Sequence, residues 1–208
     1  MRTIYMAIVA AVIALSASSA LAATTACPSG GTRVPGSKVI GGLTVDGVCI
    51  LINVTVTGGA TVTATGALSL QVSTVNGGLL VFPGGELDLN ATTPGTGVPT
   101  GTSSTVNGGT AGSNASDLDL WTATINGGIA LEGPSNNSIP TFCGNYVNGS
   151  SSFTNFANIA TIGGGIAPVG VPCGGNIFKG SVSLTNVTAF MGGDTITGDL
   201  FCTNSRVS

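Results

Sequence analysis

A pattern that repeats along the chain limits its fold more than any other feature of the sequence. In VNGGLLV, the residues Val75, Gly77, Leu79 and Val81 occupy alternate positions, which gives the pattern h-x-G-x-h-x-h, where h is apolar. Alternate residues of a β-strand share one face, so the pattern predicts strands with one apolar face. Further copies begin at Val39, Val56, Ile125 and Ile196, and partial copies begin at Val106 and Ile162.

The Asn-Gly pairs in several copies permit two interpretations of the glycine. Asn-Gly between apolar runs is the strongest short-range signal for a two-residue hairpin turn. A hairpin loop, however, has no reason to keep the apolar residues in one phase on both sides of the glycine. A strand or shallow bend with an inward glycine does, because glycine permits tight curvature and close backbone approach. We therefore predict inward positions for Gly41, Gly58, Gly77, Gly127 and Gly198.

The spacing of the copies supports a stack of similar units. Successive copies are separated by 17, 19, 31, 19, 37 and 34 residues. The unit therefore has 17–19 residues, the two longest intervals are close to two units, and the interval of 31 is one unit with an insertion. A second motif, G-x-L-x-L or a variant, follows the first in several units. Its copies are Gly66-Leu68-Leu70, Gly85-Leu87-Leu89, Ser116-Leu118-Leu120 and Gly180-Val182-Leu184.

Each unit then carries two short strands with apolar residues on one side. One unit cannot bury this face alone, whereas a stack of units shares a continuous core. The predicted fold is an all-β, parallel β-solenoid of about 6–8 turns. The alternative is an antiparallel β-sandwich with Asn-Gly hairpins. The composition agrees with an all-β chain, because Thr and Val are abundant strand formers and 42% of the residues are hydrophobic, which argues against disorder.

The N-terminus has the features of a secretory signal peptide over residues 1–22. Arg2 precedes an apolar run, and Ala20-Leu21-Ala22 matches an A-x-A cleavage site. No later stretch approaches about 18 uninterrupted apolar residues, so we expect no membrane span in the mature chain. We predict a protein secreted or held at the cell surface. Its organisation would be an N-terminal cap (23–38) and one solenoid domain (39–208), with loop insertions at 90–104 and 132–156.

Charge and residue usage exclude several classes of function. The net charge is −3, and it becomes −4 without Arg2. Because nucleic-acid-binding domains are basic, we expect no nucleic-acid partner. The chain has no His, so Ser-His and Cys-His catalytic pairs cannot form, and only four Lys or Arg residues remain after the predicted signal peptide. We therefore expect no enzymatic activity and assign no catalytic residues.

The five cysteines predict disulfides, since an exported protein meets an oxidising environment. The pairings with the shortest loops are Cys27–Cys49 and Cys143–Cys173, and they leave Cys202 free. Sequence alone does not fix this connectivity. Zinc is a poor alternative, because the chain has neither a C-x-x-C motif nor a His.

The register of the repeat predicts that four carboxylates lie close together. If the leucines of the second motif point inward, Glu86 and Asp88 point outward in one unit and Asp117 and Asp119 in the next. Neighbouring strands lie about 4.8 Å apart, so these side chains would form one acidic patch on the surface. Two interpretations remain open. The patch is either splayed and hydrated, with its charge screened by salt, or it binds a hard cation such as Ca²⁺, the one cofactor we consider.

Trp121 follows this patch and also has two interpretations. Its ring could stack on a sugar beside the carboxylates, or it could cover the edge of the core. A sugar-binding Trp121 with acidic neighbours would fit a carbohydrate-binding or polysaccharide-degrading protein that uses the 86–121 surface. Such sites also need basic residues for acidic sugars, and none lies near residues 86–119 in the sequence. The outward Asn76, Asn107 and Asn126 could instead form a stacked amide ladder with a structural role.

Several segments resemble those of secreted bacterial β-solenoid proteins of unassigned function. The resemblance rests on VIGGLTVDGVCI, VTVTGGATVTATGALSL, VNGGLLVFPGGELDL and TITGDLFCTN, and it covers most of residues 27–205. In outline the chain is also similar to the passenger domains of surface adhesins. The resemblance concerns the fold and carries over no functional residues. Because no catalytic constellation is present, we expect a non-enzymatic structural or adhesive role at the cell surface or in the extracellular matrix. Low charge and exposed strand ends would let such rods associate with one another, and their polar Thr and Asn faces could meet surface glycans.

Overall fold

A computed structural model describes residues 25–27, 36, 38–39, 41–90, 102–133, 139–156, 158, 160–165 and 170–208. These residues form 25 short strands in three sheets, and every strand pairs in parallel with its neighbours. The chain passes through the three sheets in a fixed order eight times, which confirms the predicted parallel β-solenoid. The antiparallel sandwich is not supported. Among the described residues, no helix is long and apolar enough to cross a bilayer.

We name the three sheets A, B and C. Each of the eight turns contributes one strand to each sheet in the order C, A, B, and one additional strand of sheet A precedes the first turn. Sheet A contains β1 (Thr25–Ala26), β3 (Leu43–Val45), β6 (Ala60–Val62), β9 (Leu79–Val81), β12 (Thr110–Ser113), β15 (Ile129–Glu132), β18 (Ser151–Thr154), β21 (Val182–Thr185) and β24 (Leu200–Thr203). Sheet B contains β4 (Val48–Ile52), β7 (Ala67–Gln71), β10 (Glu86–Leu89), β13 (Asp117–Trp121), β16 (Thr141–Cys143), β19 (Ala160–Ile162), β22 (Thr188–Met191) and β25 (Arg206–Val207). Sheet C contains β2 (Lys38–Val39), β5 (Thr55–Val56), β8 (Thr74–Val75), β11 (Thr105–Val106), β14 (Thr124–Ile125), β17 (Tyr146–Val147), β20 (Ile177–Phe178) and β23 (Thr195–Ile196).

The inward side chains of the three sheets form one continuous core. In the first turns these side chains are aliphatic, and the leucines of the second motif are fully buried on sheet B. In the fifth to seventh turns aromatic rings fill the same space, with neighbouring ring centroids 5.0–6.5 Å apart. These rings belong to Phe142, Phe153, Phe156 and Phe178. Stacked identical positions thus bury apolar surface that no single turn could bury.

The glycines of the first motif at 58, 77, 127 and 198 do not point inward, so the prediction was wrong for these four. They lie in the bend between sheet C and sheet A, where the alternation of a strand does not apply, and Gly77 is exposed. A Cβ at Gly77 would lie 2.6 Å from the carbonyl oxygen of Gly58, and one at Gly58 would lie 2.6 Å from that of Gly41. The missing side chain therefore points at the preceding turn. Glycine is required because the backbones of successive turns touch at this corner.

Two kinds of asparagine stabilise the corners. Asn76, Asn107, Asn126 and Asn148 form an exposed amide ladder in which each side chain donates to the one in the preceding turn, over 2.6, 2.7 and 2.9 Å. This confirms the predicted ladder and adds one member to it. Other corners need a left-handed residue, and Asn tolerates that conformation. Asparagines with positive φ stand at 53, 90, 114, 155, 186 and 204.

The repeat was misassigned at two places in the second half. Ile162 ends β19 in sheet B and is not a copy of the first motif, and Val182 and Leu184 lie in β21 of sheet A rather than in the second motif. The residues that occupy the first apolar position of the first motif in sheet C are Val147 and Phe178, which pair in register. The range 132–156, predicted as an insertion, contains β16, β17 and β18, which pair in register with their neighbours.

The two predicted disulfides are present, with Cα–Cα distances of 6.0 Å for Cys27–Cys49 and 5.1 Å for Cys143–Cys173. Cys202 is free and exposed. Two disulfides indicate an oxidising, extracytoplasmic environment. The predicted signal peptide (1–22), most of the predicted cap (23–38) and residues 91–101 and 134–138 of the predicted insertions lie outside the described residues.

Candidate functional site

The four carboxylates lie in the register that the repeat predicts. Strands β10 and β13 pair with Glu86 opposite Asp117 and Asp88 opposite Asp119. The leucines between them point into the core, so all four carboxylates occupy the outer face of sheet B. They come from two successive turns, the third and the fourth.

Two of these carboxylates are buried, which differs from the predicted surface patch. Asp88 has an exposed fraction of 0% and Asp119 of 5%, whereas Glu86 and Asp117 are partly buried. Their in-register neighbours Ser69 and Thr141 are buried as well. The outer face of sheet B is therefore covered in this region. A hydrated patch screened by salt does not describe Asp88 and Asp119.

Three of the four side chains converge. Asp88, Asp117 and Asp119 each offer a carboxylate oxygen, and these oxygens all lie within 4.8 Å of one another. Glu86 does not belong to this group, and its Oε1 accepts a hydrogen bond from Ser116 Oγ at 3.3 Å. We call the three converging residues the aspartate cluster.

The aspartate cluster is an unfavourable place for negative charge. Burial raises the pKa of Asp119 to about 7, and the nearby carboxylate of Asp117 adds to the rise. Hydrogen bonds from the side chain and backbone of Thr141 oppose it. Asp119 Oδ1 is buried and accepts no hydrogen bond from any described residue. A buried carboxylate oxygen without a donor is destabilising unless a proton or a cation compensates it.

Trp121 is buried and does not present a ring face to a ligand. It lies two residues after Asp119 on the same outer face, is 2% exposed, and pairs in register with Cys143. It packs with Cys143, Cys173 and Val171 in a small apolar cluster outside the main core. The Cys143–Cys173 disulfide thus holds the chain before β20 against Trp121. This burial favours the interpretation that Trp121 covers the edge of the core over the one in which its ring stacks on a sugar.

Sequence reasoning missed a second, internal polar ladder. Before five strands of sheet C, the preceding residue has a polar side chain that accepts a hydrogen bond from the backbone N–H at the same position of the preceding turn. Val54 N donates to Ser73 Oγ (3.1 Å), Ser73 N to Ser104 Oγ (3.1 Å), and Asn145 N to Asn176 Oδ1 (2.9 Å). The available signal was a polar residue two positions before the first apolar residue of the motif, as in STV, NYV and NIF.

The chemistry of the site is that of a buried anionic cluster rather than an open cleft. Carboxylate oxygens are the ligands that hard cations prefer. A polysaccharide on this face would have to reach Asp88, Asp119 and Trp121, which are all buried. No protein-family model, curated protein or solved structure matches this chain. The resemblance to secreted solenoid proteins is therefore supported at the level of the fold alone.

Proposed function

We propose that this chain is an exported, non-enzymatic structural protein of the cell surface or extracellular matrix that associates with copies of itself. The observation that carries the proposal is the apolar end formed by the eighth turn. Among the described residues, strands β23, β24 and β25 are the last of their sheets, so within this part of the chain each has one edge with unpaired backbone groups. Such edges are templates for pairing with another chain.

The side chains of the eighth turn occupy core positions that no other turn among the described residues covers. Leu200 is in register with the fully buried Val182, yet it is 45% exposed. Val207 is in register with the fully buried Ala189, and it is 38% exposed. A cavity of about 210 Å³ opens beside them, lined by Met191, Gly192, Gly193, Asp194, Ile196, Leu200 and Val207. An apolar end with open strand edges indicates a contact surface.

The occupant that fits this end is a second copy of the chain, related by a two-fold axis. Antiparallel pairing of β24 with a second β24 would satisfy both edges, and an isologous contact is the commonest kind between identical chains. It would also bring Asp199, just before β24, toward Arg206 of the second copy, which follows β24. If the axis passes at Cys202, the two Cys202 Cα atoms lie about 4.5–5.5 Å apart, within the range of a disulfide.

Export is supported by the two disulfides and by the signal-peptide features of residues 1–22. A stack of eight turns with one continuous core suits a rigid spacer or matrix unit. The carbohydrate alternative depends on access to Asp88, Asp119 and Trp121, and their burial gives it no support.

The test is the oligomeric state of the protein at increasing concentration, measured by sedimentation velocity and small-angle scattering. We expect a dimer of twice the rod length, and mild oxidation should produce a covalent dimer that Cys202→Ser abolishes. Leu200→Lys should give a monomer, because it places a charge in the contact. The matched control is Phe82→Lys, at a similarly exposed apolar residue far from the end. A wild-type monomer at millimolar concentration, or a dimer that survives Leu200→Lys, would overturn the proposal.

A further inference from the structure

We propose that Asp88, Asp117 and Asp119 bind one Ca²⁺ ion between the third and fourth turns of the solenoid. The site stands on its own residues and does not depend on the proposed self-association. It would join two turns through side chains on the outer face of sheet B, where the backbone ladder already joins them.

The first argument is the size of the aspartate cluster. Ca²⁺ binds oxygen ligands at 2.3–2.6 Å, so two ligands on opposite sides of the ion are at most about 5 Å apart. The three carboxylate oxygens lie within 4.8 Å of one another, which is close to the spacing that one shared ion requires. Asp88 and Asp119 face each other across the ladder, and Asp117 lies two residues earlier on the strand of Asp119. The cluster thus supplies one ligand from the third turn and two from the fourth.

The second argument is burial, which is independent of the clustering. Exposed carboxylates on neighbouring strands can be separated by water, but Asp88 and Asp119 have almost no contact with solvent. Asp119 Oδ1, moreover, has no hydrogen-bond donor among the described residues. Asp119 also stands directly opposite Asp88 in the ladder, and like charges opposite each other destabilise a sheet, so a positive charge beside them would stabilise the fold.

A proton is the competing source of charge compensation. Burial raises the pKa of Asp119 to about 7, so one proton on Asp119 is accessible near neutral pH. One proton removes a single negative charge from the three, whereas a divalent cation compensates two. Glu86, opposite Asp117, keeps the surroundings anionic. We therefore propose a bound cation. Protonation of Asp119 without cation binding is the result that would overturn this proposal.

Trp121 provides a direct readout of the site. It is the only Trp in the chain, and it lies two residues from Asp119 on the same face of β13, about 7 Å away between Cα atoms. Tb³⁺, which occupies Ca²⁺ sites, emits when an indole at this distance is excited. The chelator-treated full chain should show Tb³⁺ emission on Trp excitation, and added Ca²⁺ should remove that emission. Refolding with the metal ensures that slow entry into a buried site does not hide binding.

Variants separate the cation from the proton. Asp88→Asn and Asp119→Asn should weaken Tb³⁺ binding by at least about tenfold, the loss that even outer-shell changes cause at metal sites. The control, Asp46→Asn, removes an exposed carboxylate in the first turn, away from both the aspartate cluster and the eighth turn, and should bind Tb³⁺ as the wild type does. Calcium should raise the unfolding midpoint of the wild type and of Asp46→Asn, and leave that of Asp119→Asn unchanged.

The contrary results are equally specific. No Tb³⁺ emission from the wild type, together with an unfolding midpoint that neither Ca²⁺ nor chelator changes, would overturn the proposal in favour of the proton. Emission that Asp88→Asn and Asp119→Asn leave intact would also overturn it, because the ion would then bind elsewhere. If the variants fail to fold, the wild-type chain still decides the question through Tb³⁺ emission and its competition by Ca²⁺.

Discussion

Replacing Gly77 with Ala should destabilise the solenoid although Gly77 is exposed. A Cβ at this position would lie 2.6 Å from the carbonyl oxygen of Gly58, and 2.7 Å from its carbonyl carbon and from Gly59 N. Ordinary contact begins at 3.4 Å, so the new methyl group is 0.8 Å too close to the backbone of the preceding turn. A flexible side chain could move away, but the atoms that the new methyl group would meet belong to the main chain of the preceding turn.

The magnitude follows from how tightly the two turns are held. The corner of the third turn is tied to the second by the hydrogen bond from Asn76 N to Val56 O (2.8 Å), and the second to the first by that from Gly58 N to Gly41 O (2.7 Å). Overpacking of this kind costs about 1–3 kcal/mol. The lower entropy of the unfolded Ala chain returns about 0.4–1 kcal/mol. We expect a net loss of about 1.3 kcal/mol, or a fall in Tm of about 3–5 °C.

The assay is urea unfolding, followed by Trp121 fluorescence and by circular dichroism. The matched control is Gly174→Ala, because a Cβ at Gly174 would meet only Gly144 Cα at 3.7 Å. We expect Gly174→Ala to be neutral or to stabilise by up to about 1 kcal/mol. A free energy of unfolding for Gly77→Ala within about 0.5 kcal/mol of the wild type would refute the close approach of turns at this corner.

Three further predictions concern strain, pH and the second disulfide. Val72→Asn should raise the free energy of unfolding in urea by about 1 kcal/mol. Val72 has a φ of +51°, which is unfavourable for a β-branched residue, and the substitution removes little packing because the side chain is 49% exposed. With a chelator present, the free energy of unfolding should fall by about 2–4 kcal/mol as pH rises from about 4 to about 8. The pKa of Asp119 is about 7 in the folded protein and lower in the unfolded chain, so its bound proton stabilises the fold at low pH, and this contribution is lost as the pH rises through 7. Replacing Cys143 and Cys173 with Ser should cost about 3–4 kcal/mol and shift the fluorescence of Trp121 to longer wavelength, because the loop that covers the indole is released.

Each of these predictions has its own control. A Val72→Ala variant keeps the left-handed backbone strained, so it should gain less stability than Val72→Asn. The pH slope should largely disappear in Asp119→Asn; an unchanged slope would place the titrating group elsewhere. Replacing Cys27 and Cys49 with Ser should destabilise without a spectral shift, since that disulfide lies at the other end of the core. A red shift in both cysteine pairs would mean that Trp121 reports global loosening.

The architecture could be predicted because it depends on local, repeated features. Alternation of apolar residues fixes which side chains of a strand share a face, and a constant spacing brings the same positions of successive turns together. For this reason the register of Asp88 with Asp119 followed from the sequence. The Asn76–Asn107 ladder followed for the same reason. The two disulfides agreed with the shortest loops, although sequence alone did not exclude other pairings.

The two misassignments in the second half had different causes, an ambiguous pattern and a broken one. The ambiguity arises because G-x-h-x-h occurs in both motifs. Phe178 begins a full copy of the first motif, but its Gly180-Val182-Leu184 portion also fits the second. Val147 begins a copy in which Ser151 replaces an apolar residue, so the pattern is broken although the strand remains. Only pairing with the neighbouring turns assigns these residues to sheets C and A.

The sequence by itself therefore determined the stacking of turns, the inward leucines and the outward carboxylates, because strand alternation is a property of neighbouring residues. The tertiary structure decided what lies above and beside those residues. Gly77 points at the preceding turn because a corner interrupts the alternation, and Trp121 is covered because a disulfide returns a non-repeating segment to the outer face of sheet B. Burial of Asp88 and Asp119 likewise makes the predicted surface patch a candidate cation site, since the cost of a charge depends on its distance from water.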